Sequence, residues 1–355
     1  MSRIFQSRPF QVAVSLALAA VFTWFFLRRV DFAQLGRAIR GASVGWLAAS
    51  MALGLGTFLL RALRWQWILR PVGRVGFGPA FRATAIGFAA NTVLPARAGE
   101  VLRPALLARE RSLPFSALLA SIAFERVLDG LSQLFFLAIA LVAGPPAGAP
   151  SETAALSSSP ALRLAAGALF AAIVLLVLFA VVWRTTTERL LDGMLRIFPE
   201  RWRPRLRAIG HTFLDGFASL KSPALLLLVV AGSLAMWFVI NLQIYSVMRA
   251  FHVKLPVTAA FVVTTAAVLG VAVPTPGGIG SYQAAVQYAL TRFYGVADAP
   301  ASGVAILAWA SSFVLITLLG FTLFATAPGR REALEDVSNP VDGRPETGED
   351  KRANL

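Results

Sequence analysis

The sequence predicts an all-α, polytopic integral membrane protein, and three observations carry that prediction. Of 355 residues, 57% are hydrophobic and 14% charged, with a mean hydropathy of +0.69, well above what a water-facing surface permits. Apolar runs of about 20 residues, the length that crosses the hydrocarbon core as a helix, recur along the chain. Stretches such as 165–182 are apolar all round, where a membrane β-barrel would alternate apolar and polar residues.

The first run, 10–27, follows Arg3 and Arg8 as in a signal peptide. It ends at Leu27, Arg28 and Arg29 without a small-residue cleavage site, and is read as an uncleaved span. Further spans are expected at 45–63, 115–143, 161–183, 223–248 and 303–327, six in all. The loop 144–160 holds one Glu and no Lys or Arg, whereas 184–222 holds Arg184, Arg189, Arg196, Arg201, Arg203, Arg205, Arg207 and Lys221. Basic loops stay in the cytoplasm, so the first loop is outside and the second inside. The N-terminus, the basic stretch 61–74 and the tail after Arg330 then fall inside as well. Arg28, Arg29, Arg37 and Arg40 fall outside, against the rule, and are expected to snorkel or to lie on an interfacial helix. Residues 1–328 make one membrane domain, and 329–355, with Asn, Pro, Asp, Gly and Glu, reads as a disordered cytoplasmic tail.

Two apolar stretches do not span cleanly. The run 77–94 is stopped by the segment from Asn91 to Glu100, which includes Pro95, Arg97 and Gly99; the run 257–273 is stopped by Pro274, Pro276, Gly277, Gly278 and Gly280. With the topology above, 77–112 starts and ends inside and 257–296 starts and ends outside, so both read as re-entrant helical hairpins; Pro-kinked ordinary spans are the alternative. They lie in corresponding halves, the pattern of an inverted repeat. Irregular backbone at membrane depth survives only where protein or a wet cavity satisfies it, and such interruptions mark transport sites. The two breaks are expected to meet near the midplane.

Charge gathers around the first break. Arg97, Glu100 and Arg103 are spaced by three, as on one helical face, and Asn91 is placed to cap or bridge the break. Glu125, Arg126 and Asp129 sit within the apolar run 115–143, with Glu125 and Asp129 four apart. Ionisable groups in a span usually face the bundle interior or a water-filled cavity. One reading is an ion-pair cluster that ties the hairpin to its neighbour. The other is an anion site, with Arg97, Arg103 and Arg126 on phosphate, Glu100, Glu125 and Asp129 balancing charge or relaying protons, and the segment Pro274 to Gly280 opposite, since helix N-termini favour phosphate. Arg61, Arg64 and Trp65 are read as interfacial anchors at the end of the second span.

The formal net charge of +15 suits basic cytoplasmic loops and not nucleic-acid binding. There is no cysteine, His211 and His252 lack ligand-spaced partners, and no strand or Lys-Ser/Thr accompanies Gly277, Gly278 and Gly280 as a nucleotide loop would need. No metal or cofactor is expected.

Arg61-x-x-Arg64-Trp65, Asn91 through Pro95, Arg97, Gly99 and Glu100 to Arg103, Glu125-Arg126-x-x-Asp129, and Pro274-x-Pro276-Gly277-Gly278-x-Gly280 together resemble the lysylphosphatidylglycerol synthase transmembrane, flippase-like family, over about residues 8–328. The resemblance implies a polytopic helical domain with re-entrant segments, which in some members is joined to a soluble aminoacyltransferase that is missing here. Members usually carry a Glu shortly after the last glycine, where this chain has Gln283. The expected function is therefore translocation of an anionic phospholipid or polyisoprenyl-phosphate-linked lipid across the cytoplasmic membrane of a bacterium, passive or driven by a gradient, and not catalysis. A membrane-embedded transferase using a lipid-phosphate donor and a non-catalytic scaffold are the alternatives. The expected partners are membrane lipids with an anionic headgroup, with a second copy of the chain or a lipid-modifying enzyme as further candidates.

Overall fold

The computed structural model describes residues 32–94, 97–144 and 222–325, with Trp24 and isolated positions between 160 and 203. Apart from those positions, the runs 10–27 and 161–183, Pro95, the basic stretch 184–221 and the tail from 329 lie outside the described residues. Every regular element among the described residues is helical.

A short helix, α1 (Phe32–Arg40), buries Leu35 and exposes Arg37 and Arg40, the amphipathic form expected of an interfacial segment. Eight helices follow: α2 (Val44–Leu69), α3 (Phe77–Val93), α4 (Gly99–Arg111), α5 (Phe115–Ala143), α6 (Pro223–Ala250), α7 (Val257–Ala272), α8 (Ser281–Tyr288, continued by a π-turn Ala289–Phe293) and α9 (Asp298–Ala325). A 3-10 turn, Pro276–Gly278, separates α7 from α8. Four of these helices, α2, α5, α6 and α9, are long and apolar enough to cross a membrane. The protein is a helical integral membrane protein. At 1.5 Å per residue, α3 and α7 reach only about 25 Å, short of a ~30 Å hydrocarbon core.

The apolar run at 45–63 does not end the second helix. Ala62, Trp65, Ile68 and Leu69 continue its buried face to Leu69, so Arg61 and Arg64 lie inside the helix and not at its rim. The anchor reading of Arg61, Arg64 and Trp65 is thereby corrected: Arg64 and Trp65 are wholly buried and Arg61 nearly so.

The order long helix, short helix, break, shorter helix, long helix occurs twice, as α2 to α5 and as α6 to α9. Packing repeats with it. Helix α2 packs on α3 and α9 as α6 packs on α7 and α5; α3 meets α9 as α7 meets α5. The two halves run in opposite directions. Along the α2–α6 contact, Ser43 donates its N–H to Ala250 O at one end and Arg64 reaches Ser233 at the other, so the helices are antiparallel. The pairs Trp65 with Ser121 and Arg64 with Glu125 make α2 antiparallel to α5. Gln243 with Ser312 and Phe251 beside Gly303 do the same for α6 and α9.

Candidate functional site

The two breaks touch. A Cβ on Gly277 would lie 2.9 Å from both the side chain and the carbonyl oxygen of Thr92, in the last turn of α3, and Trp309 donates its indole N–H to Gly277 O at 2.8 Å. From the other break, Arg97 Nη2 donates to Val271 O, near the end of α7, at 3.1 Å. Between them opens a cavity of about 530 Å³ lined by all four long helices and both hairpins.

One wall of the cavity is charged. Arg61, Arg97, Glu100, Arg126 and Asp129 line it. Asp129, midway along α5, is the hub: Arg64 Nη1 donates to its Oδ1 at 2.7 Å, Trp237 Nε1 to the same oxygen at 3.0 Å, and Arg126 Nη2 and Arg61 Nη1 stand 3.1 and 3.7 Å from Oδ2. Arg61 also lies over the ring of Phe88. Glu100 is held more loosely, 3.8 Å from Arg97 and 4.0 Å from Arg126.

Behind that wall lies a second, closed layer. Glu125 is wholly buried, taking Arg103 Nη1 on Oε2 at 2.6 Å and Arg64 Nη2 on Oε1 at 3.5 Å. Arg103 stacks on Trp65, 3.7 Å from the ring centre, and Trp65 donates to Ser121 Oγ at 2.8 Å. Neither Arg103 nor Glu125 lines the cavity. The spacing of Arg97, Glu100 and Arg103 does not make one face, because the helix begins only at Gly99 and Arg97 sits before it with φ 54°. Within α4, Glu100 faces the cavity while Arg103 is turned to Glu125 and Trp65 behind it.

The opposite wall is neutral. Of the glycine-rich segment, Thr275, Gly277 and Gly278 line the cavity; Pro274 is exposed, and Pro276, Gly280 and Gln283 do not line it. Gln283 accepts the Gly280 N–H on Oε1 at 2.8 Å, so the first N–H before α8 is occupied within the chain. Asn91 lines the cavity at the end of α3 and caps nothing; its Oδ1 lies next to Gly99. Gln243 donates to Ser311 and Ser312 at 3.1 and 2.9 Å, and Gln133 donates to Phe261 O and Thr265 Oγ1 at 3.2 and 2.6 Å.

The repeat relates the two walls. Arg64 is the twenty-first residue of α2 and Gln243 the twenty-first of α6; Asp129 is the fifteenth of α5 and Ser312 the fifteenth of α9. The bond Arg64 to Asp129 on one side thus matches Gln243 to Ser312 on the other. The same count from Phe77 and from Val257 pairs Arg97 with Gly277, and both carry a left-handed φ, 54° and 57°. Arg61 and Arg64 are the cavity and core cations that the sequence reading assigned elsewhere. Their signal was the two extra turns of apolar residues beyond them.

Residues 12–320 match the family described as lysylphosphatidylglycerol synthase TM region. Over 137 residues the chain is 28% identical to a protein named glycosyltransferase AglD from Haloferax volcanii, covering 38% of this chain and 22% of that protein. The match therefore spans about a fifth of that relative's length.

Proposed function

Because the chain belongs to the lysylphosphatidylglycerol synthase transmembrane family, we propose that it moves a lipid with an anionic phosphate headgroup between the two leaflets of a bacterial cytoplasmic membrane. The observation that supports this reading is the cavity between the two broken hairpins, with an arginine-rich wall on one half and a neutral amide and hydroxyl wall on the other. Guanidinium groups match phosphate in geometry and charge. A cavity lined by both halves of an inverted repeat is where alternating access would expose a headgroup to either side.

In this reading α3 with α4 and α7 with α8 are re-entrant hairpins, and α2, α5, α6 and α9 are four of six spans. Arg61, Arg97 and Arg126 hold the phosphate, Asp129 and Glu100 position them, and Arg103 with Glu125 braces Arg64 from behind. The protein acts as a transporter and not as an enzyme. The test is translocation of fluorescent phospholipids in vesicles holding the purified chain. Arg126→Gln is expected to slow flipping at least about tenfold with an unchanged thermal midpoint, and flipping at the wild-type rate would sink the site.

A second reading follows from the relative named as a glycosyltransferase: a membrane-embedded transferase acting on a lipid phosphate. Such chemistry needs a free carboxylate base. Glu125 and Asp129 both have their oxygens engaged by arginines, which leaves Glu100 as the candidate. Product formed by purified protein from a lipid-phosphate donor, and lost in Glu100→Gln, would favour this reading.

A further inference from the structure

The charges around the cavity do not balance. The five arginines and three carboxylates described above are joined by ion pairs, and guanidinium groups keep their protons at any pH a protein meets. Five against three leaves two positive charges over among the described residues. The pairing pattern locates the surplus on the cavity side. Asp129 is already shared by Arg64 and Arg126, so Arg61, at 3.7 Å, finds no carboxylate of its own, and its Nε and Nη1 have no hydrogen-bond partner. Glu100 is shared at 3.8 and 4.0 Å by Arg97 and Arg126, both longer than a charge-assisted hydrogen bond. The second half supplies no compensation: the cavity residues from α6 to α9 are uncharged, with Gln243 and Ser312 at the places of Arg64 and Asp129. Charge left uncompensated within a membrane domain is unfavourable, and a ligand of matching charge removes that penalty.

We propose that the cavity takes a phosphate group carrying two negative charges, as in a phosphomonoester or a diphosphate, in preference to the singly charged phosphodiester of ordinary phospholipids. This rests on the reading of the cavity as a headgroup site and adds the charge of the headgroup. A monoester has its second ionisation near pH ~6, so it is a dianion above that pH and a monoanion below it, while a diester stays at one charge. The charged and titratable groups that line the cavity are Arg61 from α2, Arg97 from the first break, Glu100 from α4, Arg126 and Asp129 from α5, and Tyr282 from α8. Both lipids meet the same protein groups, so the ratio of the two compares the charges of their headgroups.

The experiment is native mass spectrometry of the detergent-solubilised full chain with phosphatidic acid and phosphatidylglycerol of identical acyl chains in competition, and phosphatidylcholine as reference. At pH 7.5 phosphatidic acid is expected to outcompete phosphatidylglycerol about tenfold, and the ratio to fall toward one at pH 5.5. Arg61→Gln, which removes one of the two surplus charges, is expected to lower the ratio at pH 7.5. Displacement of phosphatidic acid by millimolar inorganic phosphate would support the same dianion chemistry and assign it to a soluble anion. Equal occupancy by the two phosphate lipids at both pH values, each above phosphatidylcholine, would overturn the charge assignment and leave the headgroup reading standing. No preference for either phosphate lipid over phosphatidylcholine would overturn both.

Discussion

Arg97 holds a backbone conformation that favours glycine, and its counterpart in the second half is Gly277. A left-handed residue with a Cβ costs about 1–2 kcal/mol, so a side chain kept there is doing something that glycine cannot. Its reach to Val271 O and toward Glu100 places it across the meeting point of the breaks. Arg97→Gly is expected to leave stability within about 1 kcal/mol, since relief of the backbone offsets the loss of a half-exposed side chain, while vesicle flipping falls at least tenfold. A thermal melt beside the flipping assay separates the two effects. Glu125 is the opposite case. Both its oxygens are taken by buried arginines, and Glu125→Gln would leave Arg64 and Arg103 short of a counter-charge away from water. That change is expected to lower stability by about 3–5 kcal/mol, read as a drop in the detergent melting temperature.

At the scale of the helix, the first hairpin depends on backbone contact without side chains between. A Cβ placed on Gly99 would fall onto the Gly87 carbonyl oxygen and would meet Asn91 Oδ1 at 2.7 Å. Gly99→Ala must therefore separate α3 from α4, with an expected loss of about 1–3 kcal/mol, visible in the same melt and in faster proteolysis at the break. The start of α4 at Gly99 is part of what the sequence could not convey. Pro95 and Gly99 announce a break, but where the helix resumes depends on how closely Gly87 can be approached. The long element 115–143 was legible to its ends, because Pro114 precedes a run that is apolar but for Glu125, Arg126, Asp129 and a few polar residues, and Gly144 follows it. Arg61 and Arg64 were not, because a basic pair near the end of an apolar run looks the same whether it meets headgroups or a buried acid. Asp129, 65 positions beyond Arg64, decides between these, and no local pattern contains that pairing. The other charged residues of the site were visible in the sequence, around the first break and within the run 115–143. Their division into a cavity wall and a closed layer behind it was not, since Glu100 and Arg103 are three residues apart and part company at the first turn of α4.

Over the whole molecule, the two halves meet along α2 with α6, along α2 with α9, and along α3 with α9 and α5 with α7. Ser50 Oγ and Ser311 Oγ lie 3.1 Å apart on the second of these contacts, and the chain has no cysteine of its own. A double Ser50→Cys, Ser311→Cys variant is expected to form a disulfide on mild oxidation without loss of fold. If the halves rock against each other to expose the cavity, the oxidised form stops flipping and a reductant restores it; undiminished flipping by the oxidised form would rule out that motion. The antiparallel repeat also has an electrical side. The ionised cavity residues among the described residues belong to one half, so the proposed rocking of the halves would carry their surplus charge through the transmembrane field. Each elementary charge moved across 100 mV is worth about 2.3 kcal/mol. In that proposed motion an interior-negative voltage would draw the cationic cavity toward the cytoplasm, and an occupant of equal and opposite charge would release it, giving the return stroke a direction without any nucleotide.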